Sequence, residues 1–233
     1  MKVELCVPAY NEAETILRAL SILQEALPKN IPVEIVVAEN GSTDGTADLV
    51  EGAGLQNVRV LRVQGKGKGL AIRAAAQQSE ADIFGFIDAD LSADPSVIPH
   101  LIKLVAEGSD IAIGSRMLNS DLVNRGTLRT LSSRAFNIFA RVILGVDCSD
   151  TQCGLKFMNV KARQLMARVE ETGWFFDLEL LALGSANGMR IEEHPVAWEE
   201  FRFPERQSKL RVMTDGIQAI RSMVEIRRRI KSV

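Results

Sequence analysis

The sequence has few cysteines, and basic residues are not in excess. Its three cysteines, Cys6, Cys148 and Cys153, lack the spacing of metal ligands, and their odd number argues against a disulfide framework. A reducing compartment is therefore expected. The net charge of −2 argues against a general nucleic-acid-binding protein, which would carry a surplus of lysine and arginine. We expect no nucleic-acid partner.

Long apolar runs are also missing. A membrane-spanning helix needs about 18 consecutive apolar residues, and the best candidate, Phe136 to Val146, is shorter and contains Arg141. The chain passes from Met1 and Lys2 directly into a strand-like stretch, so we expect no signal peptide. These features predict a cytoplasmic protein without a transmembrane span.

Strand-like and helix-like segments alternate through the first half of the chain. Strands are predicted at 3–7, 33–38, 58–63, 83–87 and 110–113, and helices at 11–26, 46–52, 69–79 and 95–107. This alternation is typical of βαβ units. With 233 residues, 46% of them hydrophobic, the chain can form one large core. We therefore predict a single α/β domain with a mostly parallel central sheet flanked by helices.

The second half is less regular. We predict a polar, arginine-rich loop at 117–131, then helices at 132–144, 160–169, 176–187 and from about 211 to the end, with strands at 154–158 and 191–198.

Two aspartates, Asp88 and Asp90, follow the apolar stretch Ile83–Ile87. Residues i and i+2 of a strand point the same way, so both carboxylates can meet one hard cation. Mg²⁺ and Mn²⁺ typically take one or two carboxylates together with substrate phosphate oxygens. The alternative is a strand-end cap followed by a solvated aspartate in a turn.

Polar loops also follow the first three predicted strands. Tyr10 and Glu12 could contact a base and a ribose, or they could belong to an ordinary helix start. Glu39 could accept a hydrogen bond from a base or ribose, or its loop could be a simple capped turn. Lys68 lies among glycines before a helix, which suits a phosphate but also a flexible basic turn. Because ligands bind beyond the carboxyl ends of parallel strands, we expect these loops to converge on one edge.

Cationic residues are the main feature of the later segments. Arg116 closes a strand and could clamp a diphosphate. Arg129, Arg134 and Lys209 could bind an anionic acceptor near Asp150, or the arginines could form a solvated helix face.

Together, these segments resemble inverting family 2 glycosyltransferases of the GT-A fold. The resemblance rests on Val7–Glu12, Glu39–Thr46, Gly67-Lys68-Gly69-x-Ala71, Asp88-Ala89-Asp90, Gly114–Arg116 and Ser208-Lys209, in that order. Segments 150–156, 174–180 and 196–200 are most similar to dolichyl-phosphate glucosyltransferases, whose mannosyl counterparts share the same frame. The chain departs from the family at Glu39-Asn40, where Asp-Asp or Asp-Asn is usual.

The resemblance implies a role for each matching residue. Nucleotide-sugar binding falls to Pro8, Tyr10, Glu12, Glu39, Lys68, Asp88 and Arg116. Asp88 and Asp90 would bind Mg²⁺ or Mn²⁺. The acceptor phosphate would meet Arg129, Arg134 and Lys209, while Asp90 and Asp150 would be catalytic. Residues 1 to about 116 would form the donor half and residues 117–233 the acceptor half, which ends in an amphipathic helix.

The expected reaction is metal-dependent, inverting transfer of a hexose from UDP-glucose or GDP-mannose, glucose being favoured, to dolichyl or polyprenyl phosphate. A phosphate acceptor is already anionic, with a second pKa of about 6, so a strong base is not required. Asp150 could orient the acceptor or take a residual proton. Two alternatives remain: transfer to a glycan or small-molecule hydroxyl, and nucleotide-sugar binding without turnover.

A lipid acceptor requires contact with a membrane surface. We expect a peripheral protein at the cytoplasmic face, contacting lipid through Ser132–Leu144 or through the C-terminal helix with its basic end at 227–231. The alternative is a core-packed helix with a solvated tail.

Overall fold

The structure is a computed structural model that describes residues 1–119, 123–124, 127–199, 202–203 and 222–230, with only the backbone described at 123–124 and 127–135. The strands are β1 (Val3–Ala9), β2 (Val33–Glu39), β3 (Val58–Arg62), β4 (Ile83–Ile87), β5 (Ile111–Ser115), β6 (Val123–Asn124), β7 (Leu155–Asn159), β8 (Ile191–Pro195) and β9 (Trp198–Glu199). The helices are α1 (Ile16–Ala26), α2 (Thr46–Gly52), α3 (Lys68–Gln78), α4 (Ile98–Ala106), α5 (Thr127–Leu144), α6 (Val160–Gln164), α7 (Phe176–Ala186) and α8 (222–230). Short 3-10 turns occur at Pro95–Val97 and Leu165–Arg168.

Seven strands form the central sheet in the order β3-β2-β1-β4-β7-β5-β8. β7 runs antiparallel to both of its neighbours, β4 and β5, and every other pairing in the sheet is parallel. β6 and β9 form a separate parallel pair. The predicted α/β class, with a mostly parallel sheet flanked by helices, is confirmed.

Helices cover both faces of the sheet, which explains why its central strands are almost continuously apolar. Along β1, Leu5 and Val7 pack on one face with α1 and α4, while Cys6 packs on the other face with α3 and α7. All five residues of β4 are buried. The residues that follow the carboxyl end of β4 are therefore attached to a fully buried strand.

Some predicted boundaries are wrong for a tertiary reason. The first helix begins at Ile16 rather than at Asn11, because Asn11 has a left-handed φ of 51°, outside the right-handed helical region. The backbone N–H groups of residues 11–13 donate to side chains that follow β2, namely Ser42, Thr46 and Asp44. The predicted strand at 191–198 divides into β8 and β9, since β9 leaves the sheet to pair with β6.

In the second half of the chain, other helix and strand boundaries also differ from the predicted ones. α5 begins at Thr127 instead of Ser132, and β6 occupies part of the predicted loop at 117–131. The predicted helix at 160–169 is α6 followed by a 3-10 turn. Residues 211–221 and 231–233 of the predicted C-terminal helix lie outside the described residues. None of the helices in the described ranges is both long enough and apolar enough to cross a bilayer.

Candidate active site

The loops after β1 and β2 are joined by reciprocal hydrogen bonds at the carboxyl edge of the sheet. The backbone N–H of Asn11 donates to Ser42 Oγ at 2.9 Å, and Asn11 Oδ1 accepts from the N–H of Thr43 at 2.8 Å. Asn11 adopts a left-handed conformation with φ of 51°, which asparagine tolerates better than most residues. The two loops therefore form one continuous rim.

The glycine-rich loop after β3 joins the same rim. Asn40 Nδ2 donates to the carbonyl of Gly67 at 3.0 Å. Lys66 Nζ donates to the hydroxyl of Tyr10 at 2.8 Å and lies 4.9 Å from the centre of its ring. The predicted convergence of these loops on one edge is confirmed.

Two glutamates proposed to contact the nucleotide lie inside this rim. Glu12 and Glu39 are buried. The Glu39 carboxylate accepts from the backbone N–H of Ser42, so it also fixes the shape of its own loop. Pro8, half-buried, lies within β1 opposite Ala38. The nucleotide contacts of these residues stay a prediction.

Asp88 and Asp90 lie in a turn beyond β4, so strand alternation does not set the directions of their side chains. The carbonyl of Asp88 accepts from the N–H of Leu91 at 3.0 Å, and Leu91 has a φ of 49°. Asp90 Oδ1 accepts from the N–H of Ser92 at 3.0 Å. Asp90 thus caps its own turn, whereas the alternative interpretation expected a cap at the strand end and a solvated aspartate in the turn. The turn, and not the pleat of the strand, places both carboxylates at the sheet edge.

Lys68 brings a positive charge against this turn. Its Nζ lies 2.7 Å from Asp88 Oδ1 and 3.5 Å from Asp177 Oδ2, in a position that is 10% exposed. Burial opposes the charge on Lys68, but the carboxylates of Asp88 and Asp177, with a smaller contribution from Asp90, outweigh it and raise its pKa above the ordinary value. Lys68 is therefore a fixed cation beside the aspartate turn.

Arg116 and Asp150 form a buried bidentate pair at the end of β5. Arg116 Nε and Nη2 donate to the two oxygens of Asp150, each at 2.7 Å, and the Arg116 backbone N–H adds a third bond at 2.9 Å. The Arg116 guanidinium also stacks on Trp198, 4.6 Å from the ring centre. This geometry fixes the direction of the guanidinium.

The protonation state of Asp150 follows from the same pair. Burial alone raises the pKa of Asp150, but the Arg116 guanidinium outweighs burial and holds the pKa below its usual range. Such a carboxylate is a weak proton acceptor. We interpret Asp150 as the residue that orients Arg116, and its role toward an acceptor stays a prediction.

The predicted acceptor residues are described only in part. Arg129 and Arg134 lie on α5, for which the structure describes only the backbone at these positions, and Lys209 lies outside the described residues. α5 itself is tied to the Asp150 loop, because Asn137 Oδ1 accepts from the N–H of Thr151 at 2.9 Å and from its hydroxyl at 2.8 Å.

Comparison with known proteins identifies the family. Residues 4–165 match the profile described as glycosyl transferase family 2. The chain belongs to this family. The resemblance seen in the sequence is thereby confirmed, and the protein is a glycosyltransferase.

Several curated glycosyltransferases are similar along most of this chain. A dolichyl-phosphate beta-glucosyltransferase of Dictyostelium discoideum is 32% identical over 95% of this chain and 72% of its own length. Glycosyltransferase AglD of Haloferax volcanii is 31% identical over 95% of this chain, which spans only 37% of that protein. An undecaprenyl-phosphate mannosyltransferase of Micrococcus luteus is 30% identical over 86% of this chain and 84% of its own length.

Solved structures share the fold of this glycosyltransferase. Glucosyl-3-phosphoglycerate synthase from Mycobacterium tuberculosis, crystallised with UDP, superposes with a TM-score of 0.70 at 21% identity, over 97% of this chain and 80% of that one. The same synthase with Mn²⁺, UDP-glucose and phosphoglyceric acid gives a TM-score of 0.69 at 19% identity, over 97% and 79% of the two chains. At these identities the comparison establishes the fold alone.

The aspartate turn of the glycosyltransferase suits a divalent ion shared with a substrate. Among the described residues, no three His, Cys, Asp or Glu side chains are grouped to hold a metal by themselves. A pair of carboxylates is nevertheless a sufficient protein contribution for Mg²⁺ or Mn²⁺ when phosphate oxygens complete the coordination. The oxygen-only donor set of Asp88 and Asp90 fits such an ion.

Two charged residues of the site were missed by the sequence analysis. Lys156 on β7 is fully buried, and its Nζ lies 2.9 Å from Oδ1 of Asp177, which is also buried at the start of α7. Both segments contributed to the family resemblance, but no role was assigned to either residue. The available signal was a single charge inside an apolar strand and two acidic residues in the first turn of an otherwise apolar helix.

Gly154 provides the space for the Asp88 carboxylate. The N–H of Asp88 donates to the carbonyl of Gly154 at 3.1 Å, and a Cβ atom at position 154 would lie 2.0 Å from Asp88 Oδ2. Any side chain there must displace the carboxylate or the backbone that holds it.

We expect Gly154→Ala to lower the rate of sugar transfer at least about tenfold and to destabilise the fold by about 1–3 kcal/mol, the usual effect of overpacking. Steady-state kinetics and urea unfolding measure the two effects. Gly52→Ala is the matched control, since a Cβ at Gly52 meets no atom within 4 Å. Full activity in Gly154→Ala would show that the placement of Asp88 is not critical.

Proposed function

We propose that this glycosyltransferase transfers a hexose, glucose in preference to mannose, from a nucleotide diphosphate sugar to dolichyl or polyprenyl phosphate, with inversion and with a divalent metal. The observation that carries the proposal is the turn of Asp88 and Asp90 beside Lys68, at the edge where the loops after β1, β2 and β3 meet. These groups combine oxygen ligands with a fixed cation, as a diphosphate requires.

The donor side follows from this arrangement. Asp88 and Asp90 would hold Mg²⁺ or Mn²⁺, which when bound supplies Lewis-acid neutralisation of the leaving diphosphate. Lys68 contributes a second positive charge that needs no reorganisation, because Asp88 and Asp177 already fix it. Tyr10, Glu12, Glu39 and Pro8 lie along the adjoining rim, where they would hold the nucleoside.

The acceptor phosphate would be bound by Arg129, Arg134 and Lys209. Arg116, held by Asp150, would lie beside them and clamp the donor diphosphate. Because a phosphate monoester is already ionised above about pH 6, its oxygen can attack the anomeric carbon without a strong base. Attack from the face opposite the diphosphate gives inversion. An Asp150 with a lowered pKa fits this chemistry, which needs an oriented cation more than a proton acceptor.

The relatives support the choice of acceptor and sugar. Their names specify dolichyl phosphate with glucose and undecaprenyl phosphate with mannose. The solved structures with the same fold hold UDP, UDP-glucose and Mn²⁺. We therefore favour UDP-glucose as donor, with GDP-mannose second.

The test is transfer of radiolabelled sugar from UDP-glucose and GDP-mannose to dolichyl phosphate in the presence of Mg²⁺ or Mn²⁺. We expect glycolipid from UDP-glucose, loss of product with a chelator, and a rate that falls below about pH 6 as the acceptor phosphate takes up a proton. Dolichol and phosphoglyceric acid serve as hydroxyl acceptors in parallel. Transfer to these compounds alone, or donor binding without any transfer, would refute the proposal.

Binding to a membrane surface is the second part of the proposed function. Ile138, Phe139 and Val142 on α5 are 61%, 60% and 76% exposed, beside an exposed Arg141. The opposite side of α5 packs inward through Ala140 and neighbouring residues. A compact apolar stripe with a basic neighbour fits the interface of an anionic bilayer. We propose that this stripe places the protein peripherally on the cytoplasmic face.

Within its described residues, the C-terminal helix α8 differs from the amphipathic helix that the sequence predicts as a lipid contact. Met223 and Ile226 of α8 are buried in the core, so the core-packed alternative is correct for these two residues. The exposed residues of α8 are Val224, Glu225, Arg227 and Arg228. Within its described residues, α8 therefore offers lipid one apolar side chain and a small excess of positive charge.

Replacing Ile138, Phe139 and Val142 together by serine should weaken binding to anionic liposomes at least about tenfold, because fully burying one such side chain is worth about 1.5–3 kcal/mol. Flotation measures the bound fraction. The control is Leu49→Ser with Val160→Ser, which removes exposed apolar side chains from other helices. Equal flotation of wild type and the triple variant would exclude α5 as the contact.

A further inference from the structure

We infer that Asp177 and Lys156 are positioning residues that hold Lys68 and Asp88 in the geometry needed for donor binding. Neither residue lies in the rim of loops described above, and both act through other side chains. The inference rests on the proposed function, because it concerns the same donor site.

Four side chains form a line of alternating charge that begins at the aspartate turn. Asp88 Oδ1 lies 2.7 Å from Lys68 Nζ, which lies 3.5 Å from Asp177 Oδ2. The second oxygen of Asp177, Oδ1, lies 2.9 Å from Lys156 Nζ. Asp177 therefore bridges the two lysines, with each of its oxygens within ion-pair distance of a different one.

Lys156 also supports the backbone beside Asp88. Its Nζ donates to the carbonyl of Cys153 at 2.6 Å. The next residue, Gly154, accepts a hydrogen bond from the Asp88 N–H and leaves the space that the Asp88 carboxylate fills. Lys156 thus acts on Asp88 by two routes, one through Asp177 and Lys68 and the other through the 153–154 backbone.

Burial of this pair is better explained by positioning than by stability. Lys156 is fully buried and Asp177 is 2% exposed, and apolar residues of similar volume often replace buried ion pairs without loss of stability. With only Asp88 as partner, Lys68 would lose its countercharge whenever Asp88 engaged another cation. Asp177 keeps a carboxylate beside Lys68 in either case.

The experiment separates positioning from folding by removing both buried charges at once. The double variant Asp177→Asn with Lys156→Met leaves no unpaired buried ion. We measure thermal unfolding, the Kd for Mn²⁺ from the EPR signal of the free ion, and the Kd for UDP with Mn²⁺ by calorimetry. The control is Glu4→Gln with Arg59→Met, which removes a pair at the other end of β1, joined at 3.0 Å with Glu4 buried.

We expect the double variant to unfold near the wild-type temperature but to bind UDP with Mn²⁺ at least tenfold more weakly, while the control binds as the wild type does. A folded double variant that binds within twofold of wild type would overturn this inference alone. A wild-type protein that binds neither Mn²⁺ nor UDP would overturn the proposed function itself.

A wild-type crystal with UDP and Mn²⁺ provides a test that does not depend on the stability of any variant. Lys68 Nζ should remain within about 4 Å of the Asp177 carboxylate, the usual limit for an ion pair. Separation of the two groups in that complex would contradict a positioning role for Asp177.

Discussion

Asp88→Asn is expected to reduce sugar transfer by about 10²–10³-fold, the usual effect of removing one preorganised electrostatic group from an active site. The amide keeps the size of the carboxylate but removes its charge, and with it a proposed ligand for the divalent ion. Lys68 retains Asp177 as a partner, so the fold should survive. Steady-state kinetics with UDP-glucose and dolichyl phosphate measure the effect.

The control for this prediction lies at the opposite end of the same strand. Asp82 precedes β4 and has a side chain that is 63% exposed, and it accepts a hydrogen bond from the Lys2 N–H at 2.7 Å. Asp82→Asn should leave transfer unchanged. Equal rates for the two variants would mean that Asp88 has no special part in the reaction.

Asp150→Asn should destabilise the fold by about 3–5 kcal/mol, because it leaves the Arg116 guanidinium nearly buried without its countercharge. For a chain of this size, the melting temperature should fall by about 6–20 °C. Urea unfolding at neutral pH measures the loss. Asp150→Asn with Arg116→Met should recover much of the stability but not the activity, and a single variant as stable as wild type would contradict the prediction.

The same pair sets a pH dependence. The folded-state pKa of Asp150 is below that of the unfolded chain, which is about 3.9. Its contribution to stability is therefore fully present above about pH 4 and is lost as the pH falls through the lowered folded-state value. Stability profiles of wild type and Asp150→Asn should converge at acid pH.

The sequence predicted the sheet well because its signals are local. An apolar stretch such as Ile83–Ile87 identifies a strand by itself, and the parallel order then places every following loop at one edge. Tyr10, Glu39, Lys68 and Asp88 can accordingly be predicted to share one site from the sequence alone.

The errors arose where single residues leave the backbone conformation that the local pattern suggests. Asn11 looks like a helix start, but it has a left-handed φ of 51° and is hydrogen-bonded to Ser42 and Thr43. Asp88 and Asp90 follow a strand in sequence, but hydrogen bonds within residues 88–92 make them part of a turn. The apolar and polar pattern shows neither of these backbone conformations.

The position and direction of β7 in the sheet could not be predicted from the sequence either. A strand at 154–158 was predicted, but not that it runs antiparallel between β4 and β5. That direction brings its amino end to the edge where β4 ends, so that Gly154 meets Asp88 and Asp150 meets Arg116. Ion pairs such as Lys68–Asp177 depend on this arrangement and cannot be derived from spacing.

A crystal of the wild-type protein soaked with UDP-glucose and Mn²⁺ would show directly whether a divalent ion joins the aspartate turn to the sugar donor. We expect the ion between the carboxylates of Asp88 and Asp90 and the pyrophosphate, with Lys68 beside them. An ion bound elsewhere, or either carboxylate turned away from the diphosphate, would contradict this expectation.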